Sequence, residues 1–218
     1  MHMENILAIH RAETKQVEPE KLLCYFPDHF IQYLDDSPKK DPQKALCTDI
    51  FDPVKTGKKQ ENGCGVYFTP NAFVGGRKIA NLVHVQAVYL DLDCCKEGDG
   101  TSREEVEKRK EETLMGLIAA KLQPHIVVET KNGIQVVWRV IPIGGEKGLQ
   151  MFREAMDILL RRFGGDPGAK DPTRVLRLPG YLHLKNPAEP FKCQFLLNRL
   201  DQEPYDIQAI IDEFYLPP

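Results

Sequence analysis

Residues Leu82 to Asp93 read LVHVQAVYLDLD, and this stretch decides the fold. It is rich in Val, Tyr and Leu, the residues that suit a half-buried pleated surface. Side chains alternate along a strand, so Val83, Val85, Ala87, Tyr89, Asp91 and Asp93 share one face. An apolar strand therefore ends in two carboxylates on one side, about 6.5–7 Å apart along the chain. Without a counter-charge, two such anions raise each other's pKa. A hard divalent cation relieves that repulsion and keeps water or substrate oxygens in its remaining positions. An isolated D-x-D is also compatible with a solvated strand end that deters edge pairing.

Working outward from that strand, the periodicity changes. Ser102 with Glu105 fits a capping box, and Val106, Leu114, Leu117 and Ile118 form an apolar stripe on a helix running to about Leu122. The charge run Arg103 to Glu112 reads as its solvated face. Ile126–Thr130 and Ile134–Val140 are strands joined by Asn132-Gly133, a favoured tight turn. Leu149, Phe152, Met156, Leu159, Leu160 and Phe163 mark a second amphipathic helix, ended by Gly164-Gly165. Val175–Leu178 and Leu182–Lys185 are strand-like, and Asp206 caps a last helix carrying Ile207, Ile210, Ile211 and Phe214.

The order is β-α-β-β-α-β, which predicts an α/β (α+β) fold with an RRM-like, ferredoxin-like core. In that topology the first and third strands are neighbours, and the fourth lies on the other side of the first. Asp91, Asp93, Gln135 and the segment Asp166 to Arg174 are then expected at one edge. The expected organisation is an N-terminal α/β subdomain over 1–80, the core over 81–200 and a C-terminal helix over 201–218. Within the first part, Asp35 to Pro42 reads as a turn and Gly65 to Thr69 as a short strand.

The 218 residues carry 29 Lys+Arg against 32 Asp+Glu, a net charge of −3, which does not describe a protein coated in DNA along its whole surface. Locally, 166–199 holds Lys170, Arg174, Arg177, Lys185, Lys192 and Arg199 against Asp166, Asp171 and Glu189, six minus three, or +3. The second half of Arg174–Lys185, RVLRLPGYLHLK, places His183 and Lys185 on one face, able to reach one anion together. No phosphate loop, G-x-S-x-G elbow or H-E-x-x-H is present. Six cysteines without zinc-type spacing read as packing thiols in a reducing, cytoplasmic setting, and no membrane segment is expected.

These residues together resemble the archaeo-eukaryotic primase superfamily, the primase-polymerases. Asp91 and Asp93 match its D-x-D at a strand end. Thr130 to Gln135 stands at its hairpin motif, with Gln135 where His is usual, similar to the plasmid-replication branch. The run Arg174 to Lys185 is similar to the third motif of archaeal primase small subunits. The lead-in around Gly65–Asn71 looks like that of phage, plasmid and CRISPR-associated members. The resemblance implies a DNA primase-polymerase that transfers nucleotides from dNTP or NTP along a single-stranded or primed DNA template. It implies two divalent ions, Mg²⁺ or Mn²⁺, held by Asp91, Asp93 and Asp166, with Asp171 as the second choice for the third carboxylate. Gln135, Arg174, Arg177, His183 and Lys185 would hold the triphosphate, and Asn71 and Arg77 would contact the nucleotide. A helicase or other partner domain in a longer parent protein is expected, and the ending Tyr215 to Pro218 fits an excised domain. The competing expectations are a non-catalytic RRM-like module that binds nucleic acid or nucleotide, and a metal-dependent phosphoester hydrolase.

Overall fold

The computed structural model describes residues 6–96 and 98–215. The end of the chain, on which the excised-domain expectation rests, lies mostly outside them. In chain order the elements are α1 (Ile6–Glu13), α2 (Pro19–Leu23), β1 (Ile31–Asp35), β2 (Leu46–Thr48), α3 (Pro53–Glu61), β3 (Cys64–Phe68), β4 (Ala72–Phe73), β5 (Leu82–Asp93), α4 (Arg103–Ile118), β6 (Ile126–Glu129), β7 (Gly133–Gly144), α5 (Gly145–Phe163), β8 (Leu176–Arg177), β9 (Leu182–His183), β10 (Phe191–Lys192), β11 (Gln194–Asn198) and α6 (Ile207–Phe214).

The larger sheet has the order β11-β6-β7-β5-β4, antiparallel throughout. As the pattern predicts, β5 and β7 are neighbours, with Asp91 opposite Gln135 and Asp93 opposite Gly133. Gly133 is required there: a Cβ would lie 2.1 Å from the Leu92 carbonyl oxygen. Val85, Ala87, Val88, Tyr89 and Leu90 of β5 are all buried. Helix α5 lies along β5, and α6 lies along α5. Trp138 is fully buried, its ring beside Phe163 and Phe214 and its indole N–H donating to the Leu122 carbonyl at 2.9 Å. Helix α4 starts at its Ser102 cap but stops at Ile118, short of the expected Leu122, because the chain turns to bring that carbonyl onto the indole.

The expected fourth strand is a correction. Neither 175–178 nor 182–185 lies beside β5. The two residues of β8 join the smaller sheet, β2-β1-β3-β8, and β9 pairs only with β10. Two things draw β8 away. Arg177 forms a bidentate ion pair with Asp36, Nη1 to Oδ2 at 2.9 Å and Nη2 to Oδ1 at 3.1 Å, in a buried site. Leu178 N–H also donates to the Val66 carbonyl at 2.9 Å. Beside β5 stand the short β4 and the side chain of Asn71, whose Oδ1 accepts from Gln86 N and Ala87 N at 3.0 and 3.1 Å. One continuous core runs through both sheets, with Tyr33, Val66 and Phe68 of one and Val88, Leu90 and Trp138 of the other.

The solvated face expected over 103–112 is corrected at one position. Lys110 is fully buried. Its ammonium donates to Glu129 Oε1 at 2.9 Å and Thr130 O at 2.8 Å, and it lies over the Phe191 ring. Glu129 also accepts from Arg11 of α1, so α1, α4 and β6 meet at one ion cluster. Among the described residues no helix is long and apolar enough to cross a membrane.

Candidate active site

Strand β5 delivers Asp91 and Asp93 to the edge where the chain returns from α5. Gly164 and Gly165, with φ of 77° and 114°, make that return possible. A Cβ on Gly165 would come within 2.9 Å of Leu92 and 3.1 Å of the Asp91 carbonyl oxygen. The next residue, Asp166, donates its N–H to that same carbonyl at 3.1 Å. Its carboxylate caps Gly168 N at 2.8 Å, and this bond holds its pKa below the usual range.

Arg174 joins the two carboxylates. Its Nη2 lies 2.8 Å from Asp91 Oδ2 and 2.8 Å from Asp166 Oδ2. Those two oxygens are therefore no more than 5.6 Å apart, the sum of the two contacts. Asp93 has no hydrogen-bond or ion-pair partner among the described residues. Burial, then the charge of Asp91, pushes its carboxyl up, while Lys185 and Arg174 act the other way.

Gln135 spans the two sheets. Its Nε2 faces Asp91 Oδ1 at 3.4 Å, and its Oε1 accepts the backbone N–H of Arg177 at 2.8 Å. Arg177 itself does not line the site: it is buried on Asp36 and stacks over the Tyr67 ring, 4.7 Å from its centroid. Asp36 also accepts from Tyr67 Oη and Leu184 N, both at 2.9 Å. Burial would raise its pKa, but Arg177 and these donors outweigh that and lower it. Sequence reading missed Asp36 because Asp35-Asp36-Ser37-Pro38 has the composition of an ordinary turn.

His183 is buried, and neither ring nitrogen has a hydrogen-bond partner among the described residues. Burial, then the charge of Arg177, holds its pKa down to about 3, so at neutral pH it is an uncharged imidazole. The charge of Lys185 reaches both His183 and Asp93.

The remaining expected residues lie elsewhere. Asp171 turns its carboxylate onto its own turn, accepting from Thr173 N at 2.9 Å and Thr173 Oγ1 at 2.8 Å. Asn71 is fully buried and serves as a backbone bracket for β5, its Nδ2 donating to Pro172 O at 3.3 Å. Arg77 Nη1 donates to the Thr173 carbonyl at 2.7 Å. The structure thus brings together Asp91, Asp93, Asp166, Gln135 and Arg174, with Lys185 acting on Asp93 by its charge; it sets His183 beside Arg177, Asp36 and Lys185, and gives Asp171, Arg177, Asn71 and Arg77 structural contacts.

A family model for the RepB DNA-primase N-terminal domain matches residues 89–213, which spans the carboxylates, the hairpin and the basic run. The chain belongs to this family. A replication protein of Clostridium perfringens is 28% identical to this RepB-type domain over 160 residues, covering 68% of the chain and 35% of that protein. The chain therefore spans about a third of that relative's length. The fold is similar to the primase-polymerase domain of cyanophage S-2L, with a TM-score of 0.62 at 18% identity over 90% of this chain and 96% of that one. It is also similar to the catalytic domain of primase RepB′ in complex with initiator DNA, with a TM-score of 0.55 at 16% identity over 96% and 93% of the two chains. The family is a primase family, and the fold is similar to that of an archaeo-eukaryotic primase-polymerase domain, in agreement with the resemblance its motifs carry.

Among the described residues no group of three or more His, Cys, Asp or Glu side chains is arranged to hold a metal ion. What is present is a cation position between two carboxylates, filled by a guanidinium nitrogen. That donor set fits a hard divalent ion taking a few carboxylate oxygens and leaving other positions to substrate.

Proposed function

We propose that this RepB-type domain is the catalytic unit of a DNA primase-polymerase, joining nucleotides along a single-stranded DNA template. The observation that carries this reading is the single Arg174 nitrogen at 2.8 Å from both Asp91 and Asp166. It marks a place where one cation faces two anions, beside the unpaired Asp93. Asp91, Asp93 and Asp166 would hold divalent ions, which when bound lower the pKa of a 3′-hydroxyl and stabilise departing pyrophosphate.

The other residues act on the nucleotide. Lys185 and Arg174 offset the charge of the triphosphate, Arg174 as a forked donor and Lys185 as a compact charge. His183, beside Lys185 and with both ring nitrogens lacking a partner among the described residues, would add a ring N–H donor toward a phosphate oxygen. Gln135 fixes the direction of the Asp91 carboxylate. These donors are set before substrate arrives, the arrangement that makes electrostatic stabilisation effective. Within this reading, residues 1–80 and 81–200 act as one module, with β8 crossing into the N-terminal sheet.

The test is incorporation of labelled nucleotide on single-stranded DNA with no primer, repeated with a primed template. Product that disappears in Asp91→Ala, with an unchanged melting curve, supports the reading. Full synthesis by that variant overturns it. DNA binding with no product in either assay would assign a non-catalytic module instead.

A further inference from the structure

Two concave surfaces meet at the short turn Pro42–Lys44. One, about 700 Å³, includes Lys40, Tyr67 and Lys185 together with Asp35, Asp36 and Asp41, of which Asp36 is paired with Arg177 and Asp35 lies near Lys44, and it adjoins the candidate site through Lys185. The other, about 330 Å³, is lined by Lys44, Lys55, Lys58 and Lys59, with Gln43 and Asn62. No carboxylate lines this second groove. Four ammonium groups thus gather on one surface in a chain of net charge −3. Like charges held together repel, and an anion between them relieves the repulsion.

Part of the groove is built in place. Lys44 Nζ donates to the Asn62 carbonyl at 3.1 Å, and Lys59 Nζ donates to the Lys44 carbonyl at 3.0 Å. These bonds tie the turn to α3. Lys44 also lies 3.6 Å from Asp35, so part of its charge is offset. Lys55 and Lys58 are exposed, and their ammonium groups have no ion-pair or hydrogen-bond partner among the described residues. Lys58 and Lys59 sit in the last turn of α3, where a cation complements the helix dipole. That does not account for Lys55, one turn earlier, or for Lys44 on a different element.

We infer that this lysine groove binds the phosphodiester backbone of a single nucleic-acid strand that passes the site along the Lys185 surface. Four ammonium groups with no carboxylate among them suit phosphate oxygens, and such point charges hold a strand without reading its bases. The inference rests on the template-using reading above and adds where the strand lies.

The test is binding of a labelled single-stranded oligonucleotide in EDTA, followed by fluorescence anisotropy over a salt series. Four phosphate contacts give a slope of about −2.8, roughly 0.7 for each contact. The variant Lys55→Ala/Lys58→Ala should lose about half of that slope while keeping its melting temperature. An unchanged slope in the folded variant overturns the groove and leaves the proposed activity standing. No oligonucleotide binding by the unaltered chain at low salt overturns both. Inorganic tripolyphosphate is the second probe: a variant that loses its binding but keeps the oligonucleotide makes the groove a free-anion site and overturns the inference. Tighter binding of a duplex of equal length does the same.

Discussion

Arg174 reaches Asp91 across 83 positions of chain, and its Nη2 rests 2.8 Å from the carboxylate Oδ2. The same nitrogen serves Asp166. The guanidinium is therefore the resident counter-ion of both groups, in the place where a divalent cation would compete with it.

Removing this competitor should strengthen metal binding even as it weakens the nucleotide site. Arg174→Gln is expected to bind Mn²⁺ about tenfold more tightly without nucleotide, a charge-assisted contact being worth roughly 1.5–3 kcal/mol. It should also melt lower when metal-free and bind triphosphate more weakly. Mn²⁺ titration by electron paramagnetic resonance, beside thermal melting in EDTA, reads both effects. Weaker Mn²⁺ binding in the variant would rule out competition.

The acidic residues should separate by function. Asp91→Asn and Asp166→Asn should each lower nucleotide incorporation by about 100- to 1,000-fold, the scale on which single electrostatic groups act. Asp171→Asn should keep incorporation within a few-fold, because its carboxylate is spent on Thr173. Its cost is stability, about 1 kcal/mol for a weakened turn. Single-turnover incorporation and urea unfolding distinguish the two outcomes.

Arg177 should behave as a structural ion. Its side chain is 6% exposed and that of Asp36 is 3% exposed. Breaking such a pair from one side leaves a buried charge, at a cost of about 3–5 kcal/mol. Arg177→Met should therefore fall sharply in denaturant midpoint, and Asp36→Asn/Arg177→Met should recover part of that loss. If the single variant kept its midpoint and lost only nucleotide affinity, Arg177 would belong with the triphosphate ligands.

His183 sets a pH dependence with a definite sign. Its pKa is held near 3, below the ordinary 6.5, so the fold favours the neutral ring. That contribution is fully present above pH 6.5 and is lost as pH falls from 6.5 toward 3. The loss should appear as a fall in denaturant midpoint between pH 6.5 and about pH 4, and that fall should be smaller in His183→Gln.

Much of this site was legible in local pattern. Leu82–Asp93 is a strand with the bounds its residues predict, and Asn132-Gly133 turns the hairpin that sets Gln135 opposite Asp91. Alternation and turn chemistry are properties of neighbouring residues, so they can be read from the chain. The misreadings all concern distant partners. A strand of only two residues, Leu176–Arg177, carries no signal for which sheet it joins; Asp36, 141 positions away, decides it. Lys110 looks like its charged neighbours until Glu129 and Arg11 arrive from other elements. Asp166 and Asp171 are alike as turn residues, and long-range contacts tell them apart: Asp166 meets the Asp91 carbonyl and Arg174, while the Asp171 carboxylate turns onto Thr173.

The terminal amide of Gln135 gives a hydrogen to one partner and accepts one from another, and those partners sit in different sheets. Drawing the sheets apart would break the contact with Arg177 and misdirect Asp91 in the same movement. The domain's two halves are thereby obliged to travel together whenever the carboxylate is aimed.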